Sequence, residues 1–204
     1  MPEIILYELG PTRSARVRWA LLEADLPFHS RGNDISVFES EELRAIHPLG
    51  KLPAVTIDGR PLFESSAILN AIGDLAPSQQ LIPKPNSWAR YLHYQWMSFI
   101  QSEMEAFTQS TEVNSIDFII PESEHVPDIK KQNAMFYRRA AAALDEHLSD
   151  KTYLINDAFS VADIYAVYTL HWGDEQALLD GFTHLMRYLN EHIQRAHCPL
   201  QPAT

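Results

Sequence analysis

The chain has 204 residues and a formal net charge of −11, with 46% hydrophobic and 21% charged residues. This composition is that of a globular protein long enough to bury a core of its own, and its negative charge argues against nucleic-acid binding, which needs phosphates neutralised by Lys and Arg. No apolar run approaches the ~20 residues of a membrane span, and a single cysteine, Cys198, rules out an internal disulfide and a thiolate metal set.

Met1-Pro2-Glu3 runs straight into a strand-like segment, Ile4 to Tyr7, without a charged-then-apolar leader. The expected location is therefore the cytoplasm. A turn-rich loop, Glu8 to Ser14, leads into a predicted helix with Val17, Ala20, Leu21 and Ala24 on one face and Pro27 closing it. A weaker strand begins at Phe28, and Val37 to Ile46 is read as a short helix. Pro53 to Ile57, Asp58-Gly59 and Pro61 to Phe63 predict a hairpin whose two turn residues both take positive φ. From composition alone, Pro53 fits a trans proline at a strand start. Glu64-Ser65-Ser66 then opens a helix with Ile68, Leu69, Ile72 and Leu75 at helical spacing. The order is β-α-β-α-β-β-α.

Residues 75–87 form a proline-rich break, after which strand signals vanish. Trp88 to Phe107 has helical spacing and a cap at Asn86 or Ser87. Residues 108–127 read as an interrupted helix or loop, and Asn133 to Leu148 as a regular helix rich in alanine. Ser160 with Asp163 three residues on is a capping-box variant that opens a core helix running to Trp172-Gly173. Its role is folding, not chemistry. A last helix is expected from Phe182 to Ala196. Trp19, Trp88, Trp96 and Trp172 are read most simply as core or inter-domain packing.

Three motifs in this order carry a resemblance: Gly50-Lys51-Leu52-Pro53-Ala54-Val55, then Phe63-Glu64-Ser65-Ser66-Ala67-Ile68-Leu69, then Ser160 to Asp163. Together they resemble the cytosolic glutathione transferases, over nearly the whole chain. The resemblance implies an α+β protein: a thioredoxin-like domain over residues 1–78, a linker at 79–87, and an all-helical domain over 88–204. It implies binding of reduced glutathione as co-substrate, attack of its thiolate on a small, hydrophobic electrophile, and a homodimer. No metal, nucleic acid or membrane is expected.

The resemblance also implies roles residue by residue. Pro53 would be cis, with the Leu52 backbone pairing the cysteinyl part of glutathione as in strand addition. Lys51 would face the glycyl carboxylate. Glu64 would attract the γ-glutamyl ammonium, and Ser65 with the amides of its helix start would hold the α-carboxylate. Glu103 would reach the ligand of a partner subunit. Arg13, Arg16, Arg18 and Lys51 are candidates for gathering positive charge near an anionic ligand. In the Leu9 to Ser14 loop, Thr12 falls where Ser-type members carry their serine, and Ser14 offers a second hydroxyl. Either hydroxyl could activate the thiol or cap the first helix. Tyr7 ranks third, since strand parity buries it. Arg13 falls where the bacterial Cys-type members carry cysteine, so thiol chemistry from the protein itself is not expected. Two other classes stay open: a glutathione-dependent reductase, peroxidase or isomerase, and a binding module without activity. Trp88, Tyr91, Phe107 and Trp172 are candidate walls of the second-substrate site.

Overall fold

The structure is a computed structural model that describes residues 1–10 and 12–200. Its first half is β1 (Ile4–Glu8), α1 (Ser14–Glu23), β2 (His29–Gly32), α2 (Glu41–Ile46), β3 (Ala54–Ile57), β4 (Arg60–Phe63) and α3 (Ser65–Leu75). The strands form one sheet in the order β2-β1-β3-β4. β2 runs parallel to β1, while β3 is antiparallel to both of its neighbours. Alternation along β1 builds two cores. Ile4 and Leu6 join the main core with residues of α1 and α3. Tyr7 joins a smaller one with Val37, Leu43, Leu52 and Ala54. This is the period-2 pattern of a strand covered on both faces.

The second half is helical: α4 (Trp88–Ile100), α5 (Ala106–Val113), α6 (Ile129–His147), α7 (Val161–Glu175) and α8 (Thr183–His192). The thioredoxin-like and all-helical halves share one apolar core, in which Trp19 of α1 meets Phe159 with ring centroids 5.8 Å apart. Polar contacts tie the same seam. Arg90 of α4 pairs with Asp74 of α3 at 2.7 Å, and Arg195 with Glu23 of α1 at 2.8 Å.

Several expectations are met. Asp58 and Gly59 have φ of 49° and 74°, as the hairpin turn requires. The Leu52-Pro53 peptide is cis, as the resemblance implies and against the trans proline that composition alone suggests. Asp163 is fully buried, and its carboxylate accepts from the backbone N–H and hydroxyl of Ser160, both at 2.8 Å. Other expectations need correction. Residues 37–46 are not one helix, because Ser40 takes an extended conformation, ends a 3₁₀ turn over Ile35–Glu39 and caps α2 through its hydroxyl. The helix from Trp88 is broken by a π turn at Gln101–Glu105. Trp88 is 74% exposed and belongs to no core.

Candidate functional site

The sequence around β3 forms one wall of a cleft of about 180 Å³, lined by Arg13, His47, Leu49, Lys51, Leu52, Pro53, Glu64, Ser65 and Gln109. Leu52 precedes β3, and among the described residues nothing pairs with its N–H or C=O. The strand therefore offers the cleft one free donor and one free acceptor on backbone that packing of the Leu52 side chain holds in place. Lys51 is exposed at the same wall. Glu64 stands at the N-terminus of α3 with φ 69° and ψ 113°, a conformation costly for a residue with a Cβ. Ser65 follows it and is buried. The first amides of α3 have no intrahelical partners and carry the positive end of the helix dipole to this point.

His47 was not singled out from sequence, although it stands four residues before Lys51. It is 4% exposed, and its Nδ1 accepts from the Leu49 N–H at 3.1 Å. That bond fixes the proton of the neutral ring on Nε2. Burial pushes the His47 pKa below its ordinary value, Lys51 and Arg13 push the same way, and Glu64 opposes them. The ring is thus a neutral donor at pH 7.

The opposite wall comes from the helical half, from positions that no local motif marks. Gln109 of α5 accepts from Arg13 Nη1 at 3.1 Å. A second cleft of about 160 Å³ adjoins the first, sharing Arg13, Glu64, Ser65 and Gln109 and adding Gln101, Glu105, Ala106 and Tyr165. Glu105 is 4% exposed and takes a 2.7 Å bond from Arg16, which is fully buried and lies against the rings of Tyr165 and Tyr168. Burial resists ionisation of Glu105, but Arg16 and then Arg13 hold its pKa below the usual carboxylate value.

The predicted residues divide accordingly. Lys51, Leu52, Pro53, Glu64 and Ser65 line one cleft, joined there by Arg13. Thr12, Ser14 and Glu103 line neither cleft, nor do Trp88, Tyr91, Phe107 and Trp172. Glu103 is exposed, facing away from its own chain's core. Tyr7 is buried, and its hydroxyl donates to Glu42 at 3.2 Å. Of the cationic candidates, Arg18 instead pairs with Glu8. Among the described residues no three His, Cys, Asp or Glu side chains group as a metal site, and no helix is long and apolar enough to cross a membrane.

The family model described as glutathione S-transferase, N-terminal domain, matches residues 2–73, and that described as glutathione S-transferase, C-terminal domain, matches residues 91–196. The chain belongs to the glutathione S-transferase family. Within it, 154 residues are 28% identical to glutathione S-transferase GstA of Escherichia coli O157:H7, covering 74% of this chain and 72% of that protein. Elongation factor 1-gamma of Prunus avium is 28% identical over 158 residues, 74% of this chain but 35% of the factor. A sphingomonad glutathione S-transferase, solved in complex with glutathione, superposes with a TM-score of 0.81 at 28% identity, over 95% of this chain and 94% of the other.

Proposed function

We propose that this family member binds reduced glutathione in the first cleft and conjugates its thiolate to a small, hydrophobic electrophile. The observation that carries the reading is the convergence, on one cleft, of a free backbone pair at Leu52, a cation at Lys51, and an acid with a hydroxyl at Glu64 and Ser65. These groups complement a tripeptide's backbone, its far carboxylate and its charged γ-glutamyl end in turn. His47 Nε2–H adds a donor beside Lys51. Release of the thiol proton leaves a thiolate whose electron pair forms the bond to the electrophile's carbon, while the bond from that carbon to a leaving group breaks and the leaving group takes its electron pair to solvent.

The test is glutathione calorimetry on the wild type and on Glu64→Gln. A charge-assisted contact of about 1.5–3 kcal/mol translates into roughly tenfold to hundredfold weaker binding in the variant. Wild-type protein that fails to retain glutathione at millimolar concentration overturns the reading. The similarity to elongation factor 1-gamma favours a second reading, a binding module without transferase activity. Against it, a scaffold gains nothing from keeping ligand-gripping groups on one cleft. Turnover of an electrophile panel separates the two.

We also propose that the chain works as a homodimer, in which exposed Trp88, Tyr91 and Tyr94 of α4 meet the partner. Exposed aromatics on one helix form an apolar patch that association would cover. Sedimentation equilibrium checks this, and a monomer at micromolar concentration refutes it.

A further inference from the structure

The loop before α1 carries two hydroxyls, and neither has a hydrogen left for a ligand. Thr12 Oγ1 donates to Leu9 O at 2.5 Å and accepts from the Ser14 N–H at 3.2 Å. A hydroxyl has one hydrogen, so the 2.7 Å contact between Thr12 Oγ1 and Ser14 Oγ takes its proton from Ser14. Ser14 Oγ in turn accepts from the Leu9 N–H at 3.3 Å, and Ser14 is 1% exposed. Thr12 has thus used its proton and both lone pairs, and Ser14 its proton and one lone pair. The two side chains brace Leu9 against the first turn of α1. A thiolate needs donors, and this pair has none to give.

Arg13, between them in sequence, is placed differently. Its side chain is 28% exposed and lines both clefts, beside Leu52, Glu64 and Ser65. Nη1 is held by Gln109 at 3.1 Å and lies 3.7 Å from Glu105. Among the described residues Nε and Nη2 meet no acceptor, which leaves three N–H donors at the cleft. Glu105 pairs with two guanidinium groups, Arg13 and Arg16. Glu112 also acts on Arg13 and Glu64 shares its cleft, so what counts is where the Arg13 guanidinium stands and not a net charge of the cluster. Arg16 is fully buried, which leaves Arg13 as the guanidinium that a ligand can reach. Arg13 also stands at the N-cap of the ten-residue α1, where the helix dipole adds to that charge.

We propose that Arg13 is the catalytic residue that holds the glutathione thiolate, donating N–H bonds to sulfur, while Thr12 and Ser14 shape the loop that presents it. This rests on the reading that the first cleft binds glutathione. The thiol S–H bond breaks heterolytically and its proton passes to solvent. Arg13 keeps all its protons, and no oxidant or reductant takes part.

The experiment measures two quantities on each protein: glutathione affinity by calorimetry, and the bound thiol's pKa from ultraviolet thiolate absorbance against pH. Loss of an opposite charge within a few ångströms raises a pKa by about 1–3 units. Arg13→Met is therefore expected to raise the bound thiol's pKa by at least about one unit, and to cut the thiolate fraction roughly tenfold below that pKa. Arg13→Lys, which keeps the charge but loses the fork, falls between. Thr12→Val, which acts on the thiol only through the loop that presents Arg13, raises the pKa less than Arg13→Met does. If Arg13→Met no longer retains glutathione, Arg13→Lys decides: a raised pKa supports the proposal and an unmoved one overturns it. A pKa raised by Thr12→Val but not by Arg13→Met also overturns it. So does an Arg13→Met protein that binds more weakly with an unmoved pKa, since Arg13 then grips a carboxylate instead. Wild-type protein that does not bind glutathione fails in the calorimetry alone, and takes this proposal down with the reading beneath it.

Discussion

Replacing Asp163 by alanine removes the acceptor for four buried donors at once. Its Oδ1 takes the Leu154 N–H at 2.7 Å and the Tyr188 hydroxyl at 2.6 Å, and its Oδ2 takes the Ser160 N–H and hydroxyl at 2.8 Å each. Asp163 and Tyr188 are fully buried, so water cannot reach these donors without rearrangement. A buried donor left unpaired costs about 1–3 kcal/mol. The four costs do not add, because the Ser160 hydroxyl can turn and a water can enter the space vacated. Large single-site losses of this kind run to about 3–5 kcal/mol, a sizeable part of the roughly 5–15 kcal/mol that holds a domain together. Asp163→Ala is expected to lose that much in urea unfolding at neutral pH, with Asp163→Asn losing about half, since the amide keeps one acceptor oxygen. Glutathione affinity per folded molecule stays unchanged in both. A loss under about 1 kcal/mol would mean that the donors find other partners and that the carboxylate is only a helix cap. Intact stability with weakened affinity would move Asp163 from folding to binding.

Gly173 of α7 gives a test whose sign separates two effects. Helix propensity alone makes Gly173→Ala stabilising by about 1 kcal/mol. A Cβ there, however, would lie 2.0 Å from the Tyr137 hydroxyl oxygen and 2.5 Å from Cζ, and Tyr137 is fully buried. The expected result is a lower Tm, partly restored in the double variant with Tyr137→Phe; a higher Tm for the single variant refutes the packing argument. His93 sets a pH dependence. Its Nε2–H donates to Asn70 across the domain seam at 2.5 Å, its Nδ1 is buried without a partner, and burial, aided by Arg90, lowers its pKa from 6.5 to about 4. Below pH 6.5 the unfolded chain takes up a proton that the folded chain refuses, so stability falls as pH drops from 6.5 to about 4 and no further below it. The full span is worth about 3 kcal/mol. Urea titrations at several pH values should show a shallower acid loss in His93→Gln, and parallel curves would refute the assignment.

What the sequence made legible follows from how local the cause was. The hairpin turn needs only Asp58-Gly59 between two apolar runs, and the wall formed by Lys51, Leu52, Glu64 and Ser65 lies within fifteen residues of chain. These groups could be read together because one strand pair and one helix start hold them together. Ser160 and Asp163 were readable for the same reason. The opposite wall was not. Gln109 meets Arg13 across 96 positions, and Glu105 meets Arg16 across 89. Neither Gln109 nor Glu105 sits in a pattern that distinguishes it from a solvated helical residue. The loop hydroxyls failed to read differently: residue type alone marks Thr12 and Ser14 as donors. Only the geometry shows that each has already given its hydrogen away. Trp88 was misread because an aromatic is usually buried, and nothing local tells a core face from an outer face on a helix with apolar residues on several sides.

The π turn at Gln101–Glu105 ties these long-range contacts to the helix that makes them. Gln101, Glu105 and Gln109 all line the second cleft, at steps of four residues. In a uniform α-helix each step of four overshoots a full turn by about 40°, so two steps would carry Gln109 about 80° round from Gln101. A π turn spends one more residue per turn, so the step from Gln101 to Glu105 falls short of a full turn and cancels the overshoot of the next. Gln101 and Gln109 then stay on the cleft side, with Glu105 between them, close enough to the buried Arg16 to neutralise it. The same irregularity therefore places the Glu105 carboxylate within reach of both Arg13 and Arg16, and the Gln109 oxygen where it holds one Arg13 nitrogen. A straight helix could satisfy the core at Met104 and Ile100, but it would not present all three polar side chains to the thioredoxin-like half at once.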